Sequence, residues 1–348
     1  MTAESLLEHH RVAGASTDAR DGVALATTYP EALSVPLEAN AVAVVDLSHR
    51  PVFRLVGSDV RRWTNGMFTN NTRRLRPGQG NRHCACDDRG RVRGVLDLYF
   101  LAEDTVRIVL DGMLFDDFEQ RYQMYLLLDD IEVEPEAFAL LTVQGSGAEG
   151  TLTELGLPVP EGSHTHENAA APWTGVVVSR RDRLGQSGFD LLVPPEQSVR
   201  LWSALTAAGA VAMGVDDLRA LEVVAGRASY PTDATDKSMV HELRLNTDCC
   251  AFDKGCYVGQ EVINRIDVRG AIQKRFTTVI LDSPVAVGAA VKLDGRSIGT
   301  ITGRATYRGQ EWGAGVLRKS AWADGTEVNV IGADGSIVVG RVVESPQV

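Results

Sequence analysis

Lys254-Gly255-Cys256-Tyr257-Val258-Gly259-Gln260-Glu261 packs a cation, a thiol, a phenol, an amide and a carboxylate into eight residues that include two glycines. Glycine lets the backbone turn tightly and approach a ligand or another strand closely. An ammonium near a thiol favours the thiolate, so Lys254 and Cys256 are the candidate reactive pair if their side chains share a surface. The competing reading is a buried cysteine in a glycine-bounded turn, with Lys254 in solvent. The segment follows Phe252-Asp253 and runs on to Asn264, Arg265 and Arg269-Gly270.

Downstream the chain changes character. Eleven glycines fall between Gly288 and Gly340, among short runs such as Val291-Lys292-Leu293 and Val328-Asn329-Val330-Ile331. Turns at that spacing without a helical period predict a small antiparallel barrel. Upstream, Val42 to Val45, Val52 to Val56, His83 to Cys86, Val92 to Leu101 and Thr105 to Leu110 read as strands. Phe115, Phe118, Tyr122, Tyr125 and Leu126 recur at helical steps and predict an amphipathic helix. Further on, strands are expected at Ala139–Val143 and Val176–Ser179. Helices are expected around Val199, Trp202 and Leu205, and from Asp216-Asp217 through Leu218, Leu221 and Val224. Hairpins with a few packed helices, without a βα repeat, read as α+β. The division expected is a lead-in over 1–40, an α+β domain over 41–130, a second over 131–270 and the barrel over 271–348.

With 35 Lys+Arg against 46 Asp+Glu the 348-residue chain carries −11, which excludes a polyanion binder working through bulk charge. No direct nucleic-acid binding is expected. No apolar run reaches the roughly 18–20 residues of a membrane span, and residues 1–20 do not read as a targeting peptide. A cytoplasmic protein is expected. Five cysteines with C-x-C and CC spacings suit neither a disulfide framework nor a structural zinc site, so no metal is expected.

The octapeptide resembles the signature of the YgfZ-type folate-binding proteins, in the superfamily of the aminomethyltransferase (T-protein) of the glycine cleavage system. The likeness extends through Asp46-Leu47-Ser48-His49-Arg50, Trp63-x-Asn65-Gly66-Met67-x-Thr69-Asn70, Arg89-Gly90-Arg91-Val92, Gly185-x-x-Gly188-Phe189-Asp190 and Leu218-Arg219-x-Leu221-Glu222. It implies three domains in a ring around a central hole: two α+β domains, the first ferredoxin-like, and a C-terminal small antiparallel β-barrel. Tetrahydrofolate or a derivative would bind in the hole.

The resemblance assigns Asp190 to the acid that hydrogen-bonds the pterin, one methylene shorter than the usual glutamate. Arg219 would meet a ligand carboxylate or carbonyl, or else pair with Glu222 on a solvated face. Trp63, Asn65 and Met67 match a segment lining the hole, although a Trp on a short helix also suits a core. Tyr257, Gln260 and Glu261 complete the implied ligand set. One departure stands out: Gly94 and Val95 occupy the positions of the two acids of the aminomethyltransferases, and neither accepts a proton. Asp97 would serve only in a different strand register.

The implied function is a tetrahydrofolate-binding auxiliary protein in iron–sulfur cluster assembly or repair. It would support tRNA-modifying iron–sulfur enzymes, with client or assembly proteins as partners and Cys256 as the working thiol. The alternatives are a folate-dependent one-carbon transferase with a relocated acid, and an interaction module with a vestigial folate site. Independently, nine arginines between Arg61 and Arg93 face only Asp87 and Asp88. They either receive a folate glutamate tail or form a solvated outer face.

Overall fold

The computed structural model describes residues 5–20, 22–30, 32–34, 40–270 and 272–344. The lead-in contains a helix, Leu6–Val12, and a hairpin of Ser16–Arg20 with Val23–Thr28. The hairpin's first strand is almost wholly exposed, so it carries no alternation for a sequence reading to find. Part of the lead-in, residues 1–4, 21, 31 and 35–39, lies outside the described residues.

Two sheets interleave along the chain. A five-stranded antiparallel sheet runs in the order Gly80–Cys86, Val92–Ala102, Thr105–Asp111, Val52–Val56, Glu132–Pro135. The helices Val60–Met67 and Phe115–Leu126 cover one face of it, burying Val60, Trp63, Phe118 and Tyr122 against Phe53, Leu55, Phe100 and Ile108. The predicted helical spacing of Phe118 and Tyr122 is the buried stripe; Tyr125, on the same helix, is exposed.

The six-stranded sheet takes Ala43–Asp46 from before the first sheet and pairs it with Ala139–Gln144 on one side. On the other side it pairs in parallel with Val211–Met213. Its alternating residues face two cores. Val44, Leu141, Val143, Phe189 and Leu191 pack against Trp202 and Leu205 of the helix Ser198–Ala207. Val45, Leu140 and Leu192 pack against the helix Val215–Val224.

That second helix is the centre of the molecule. Leu218, Leu221 and Val224, spaced at helical steps, share one core with the six-stranded sheet, with Val52 and Val109 of the first sheet, and with Phe276, Ala305 and Ala314. The last three belong to a seven-stranded antiparallel sheet over Lys274–Val343 that curls into a half-barrel, where the glycine pattern predicts a small barrel. With its apolar side committed to three sheets, the helix leaves Arg219 and Glu222, one turn apart, for the space between them. No helix among the described residues is long and apolar enough to cross a membrane.

Candidate functional site

The residues singled out by sequence separate into two places. The first is a knot of loops around the octapeptide. Val258 N–H donates to the Gly66 carbonyl at 3.1 Å and Ala251 N–H to that of Thr69 at 3.1 Å, so the segment 63–70 and the octapeptide are zipped together. Gly259, at φ +84°, stands where a β-carbon would come within 2.6 Å of the Asp87 carbonyl and 2.9 Å of Gly90 Cα. Only glycine suits that backbone and that approach, and it brings the Arg89-Gly90-Arg91 turn into the same knot.

Lys254 is the knot's pin. Its Nζ donates to the carbonyls of Phe68 at 2.7 Å and Asn70 at 2.6 Å, and it lies 4.8 Å from the centre of the Tyr257 ring. Among the described residues no hydrogen bond joins it to Cys256. Cys256 is the exposed thiol of the five. Tyr257 is buried with its hydroxyl unpartnered. Gln260 and Glu261 open the helix Gln260–Arg269, where exposed Glu261 suits the positive end of the helix dipole.

Burial pushes the Lys254 ammonium down from its ordinary 10.5 to about 7. Between those values the unfolded chain binds the extra proton, so this group makes stability rise with pH. The difference in Tm between wild type and K254M is expected to widen from pH 7 to about pH 9.5. A difference that stays constant over that range would show that the amine is not the group responsible.

Trp63, Asn65 and Met67 serve the knot and the core beneath it. Trp63 is 2% exposed against Phe68 and Tyr122, Asn65 accepts from Thr72 N–H at 3.2 Å, and Met67 packs on the same core. None of the three lines the cavities described next.

The second place is a pair of cavities of about 780 and 450 Å³ that share Asp111, Glu222 and Ser229 in their walls. Asp111 ends the strand Thr105–Asp111 and lies directly across from Val95 in register. It therefore sits beside the position left without an acid. A side chain at Gly94 would have to displace the flexible thioether end of Met113, which occupies that space. Three guanidiniums surround Asp111: Arg50 at 3.1 Å, Arg82 at 3.2 Å and Arg183 at 3.7 Å. Burial opposes its charge, but these arginines outweigh burial and hold its carboxyl below the ordinary range.

Asp190 is buried and lines neither cavity. Arg183 grips it in a fork, Nε at 3.1 Å from one oxygen and Nη2 at 2.6 Å from the other. Arg219 lines the smaller cavity and is itself held by both oxygens of Asp233, at 2.7 and 2.8 Å. Asp97 is sealed between Arg181 and His164, each at 3.1 Å, away from both cavities.

His49 lines the smaller cavity as a neutral imidazole, since burial, with Arg50 beside it, lowers its value to about 4. Of the nine arginines between 61 and 93, Arg82 alone lines either cavity. Arg61, Arg62, Arg74 and Arg93 pair with Glu103, Asp129, Asp253 and Asp87.

Asp111 and Arg183 are cavity residues that motif reading missed, and Glu222 entered it only as a partner for Arg219. A usable signal existed for Asp111: an acid closing the apolar run Ile108-Val109-Leu110, just before a glycine.

Comparison with known proteins places these observations. The sequence pattern of the family described as the GCVT N-terminal domain matches residues 6–254. A chloroplastic protein of Arabidopsis thaliana that carries a provisional transferase name is 26% identical over 87% of the chain and 71% of its own length. An aminomethyltransferase from Parafrankia sp. is 30% identical over 64% of the chain and 62% of its own length. The crystal structure of glycine cleavage system aminomethyltransferase T from Bartonella henselae superimposes with a TM-score of 0.86. It covers 99% of both chains at 19% identity and shows a common fold.

Proposed function

The chain belongs to the family of the GCVT N-terminal domain, and on that premise we propose that it is a tetrahydrofolate-binding auxiliary protein of iron–sulfur cluster assembly or repair. In this reading it acts in the cytoplasm and supports tRNA-modifying iron–sulfur enzymes. The two cavities are then the two mouths of one hole among three modules. Their volumes fall within the range of small-molecule sites, and the shared wall offers Glu222 and Ser229 with Arg219 beside them, a polar set that suits a folate. Bound tetrahydrofolate supplies ring and bridge nitrogens that carry one-carbon units.

The observation that carries the reading is Cys256, an exposed thiol on a loop that Lys254 fastens to two backbone carbonyls. A fixed, accessible sulfur suits a soft metal or a client thiol. One cysteine cannot hold a cluster, which normally takes four protein thiolates, so the client brings the others. C256S is expected to abolish rescue of iron–sulfur enzyme activity in a deletion strain while leaving Tm unchanged. Full rescue by C256S refutes the role.

A folate-dependent one-carbon transferase is the second reading, and the place of Asp111 across from Val95 favours it. Against it, three arginines already occupy that carboxylate. Under this reading D111N, not C256S, is the variant that loses formation of methylene-folate from tetrahydrofolate and a methylamine donor.

A further inference from the structure

The folate reading above leaves open which carboxylate meets the ring of the ligand. The acids around the cavities differ in what they already hold. Asp190 has both oxygens engaged by Arg183, whose side chain is 3% exposed, and reaches neither cavity. Asp111 is surrounded by three guanidiniums. Asp182 accepts three backbone N–H groups with one oxygen, and Asp248 takes Arg227.

Glu222 differs from all of these. It lines both cavities, its side chain is 13% exposed, and it accepts no side-chain hydrogen bond among the described residues. Its nearest cation, Arg219 at 3.6 Å, is turned towards Asp233, which takes its other nitrogen at 2.7 Å. A carboxylate in the wall of both cavities with no hydrogen-bond donor on it is left to accept from a ligand that presents N–H groups. Burial also pushes the Glu222 carboxyl above its ordinary range, only partly offset by Arg219. The acid can therefore hold a proton as well as accept one.

We infer that Glu222, and not Asp190, is the carboxylate that reads the N–H edge of the bound ring. Asp190 then acts as a structural anion that keeps Arg183 in the cavity wall. For a ring to reach Asp190, Arg183 would have to leave a two-point contact and abandon Asp111 as well.

Titration calorimetry on the full chain tests this with two probes: tetrahydrofolate, and p-aminobenzoylglutamate, which lacks the pterin. E222Q keeps the shape of the side chain but turns an amide N–H towards the ring. It is expected to weaken tetrahydrofolate by about 10–100-fold, the worth of a hydrogen bond to a charged group. Binding of p-aminobenzoylglutamate should stay unchanged. E222D, with the acid restored one methylene short, should recover part of the loss, and thermal unfolding of both variants checks that the fold is intact. Tetrahydrofolate binding by E222Q equal to wild type overturns the inference and leaves the folate reading standing. Equal losses for both probes also overturn it, because the effect would then lie outside the ring. Absence of tetrahydrofolate binding by the wild type overturns the folate reading and the inference together.

Discussion

Arg183→Ala is expected to destabilise the fold by about 3–5 kcal/mol, the range for removing one partner of a buried ion pair. Arg183 is 3% exposed on its side chain, holds both oxygens of Asp190 and lies 3.7 Å from Asp111. Truncation leaves two buried carboxylates with fewer cations. Asp190 loses both of its side-chain donors, whereas Asp111 keeps Arg50 and Arg82.

The acid limb of stability should move too. The native Asp111 carboxyl sits below its ordinary value. Its stabilisation is therefore complete above about pH 3.9 and is lost as pH falls through the lower native value. Without Arg183 that native value rises towards the unfolded one, so the pH-dependent part of the stability shrinks and its loss is complete at a higher pH. Urea titrations of wild type, R183A and the double variant R183M/D190L decide the matter. The double variant replaces charges by apolar groups and should recover most of the loss. A loss below about 1 kcal/mol for R183A would show that water, not the guanidinium, solvates these acids.

The same cluster marks the limit of what the chain alone discloses. The amphipathic stripe of Phe115, Phe118 and Tyr122 and the helix through Leu218, Leu221 and Val224 are legible because each buries one face on a regular period. The exposed hairpin at 16–28 has no such period, and the lone strand Ala43–Asp46 looks like a neighbour of Val52–Val56 until pairing with Ala139–Gln144 moves it to another sheet.

Motif residues are legible as positions, while their surroundings are set by the fold. Trp63, Asn65 and Met67 do lie against the octapeptide's knot, yet face a core. The run of arginines from 61 to 93 is a local feature of sequence. Only Arg82 of that run reaches the larger cavity, where the fold brings it together with Arg181, Arg183, Arg227, Arg244 and Arg275. Spacing reports neighbours on one element, and a cavity among three sheets is built from residues that are not neighbours.

Gly112→Ala is expected to cost about 3 kcal/mol or more, through two effects that add. Gly112 follows Asp111 at φ +78°, a left-handed conformation that costs an alanine about 1–2 kcal/mol. Its missing β-carbon would also overlap the Tyr230 carbonyl oxygen and lie 2.7 Å from Pro231 Cδ. Those neighbours are backbone and a proline ring, so relief requires the 230–231 loop to move as a unit. That loop lines the smaller cavity and runs into Asp233, which fixes Arg219. The displacement therefore reaches the cavity wall as well as the stability. Under the folate reading, G112A should weaken tetrahydrofolate at least as much as E222Q, and should weaken p-aminobenzoylglutamate too. Urea unfolding gives the first quantity and calorimetry the second. Destabilisation of less than about 1 kcal/mol would mean that the loop yields freely. The strand end carrying Asp111 would then not be held against the loop that positions Arg219.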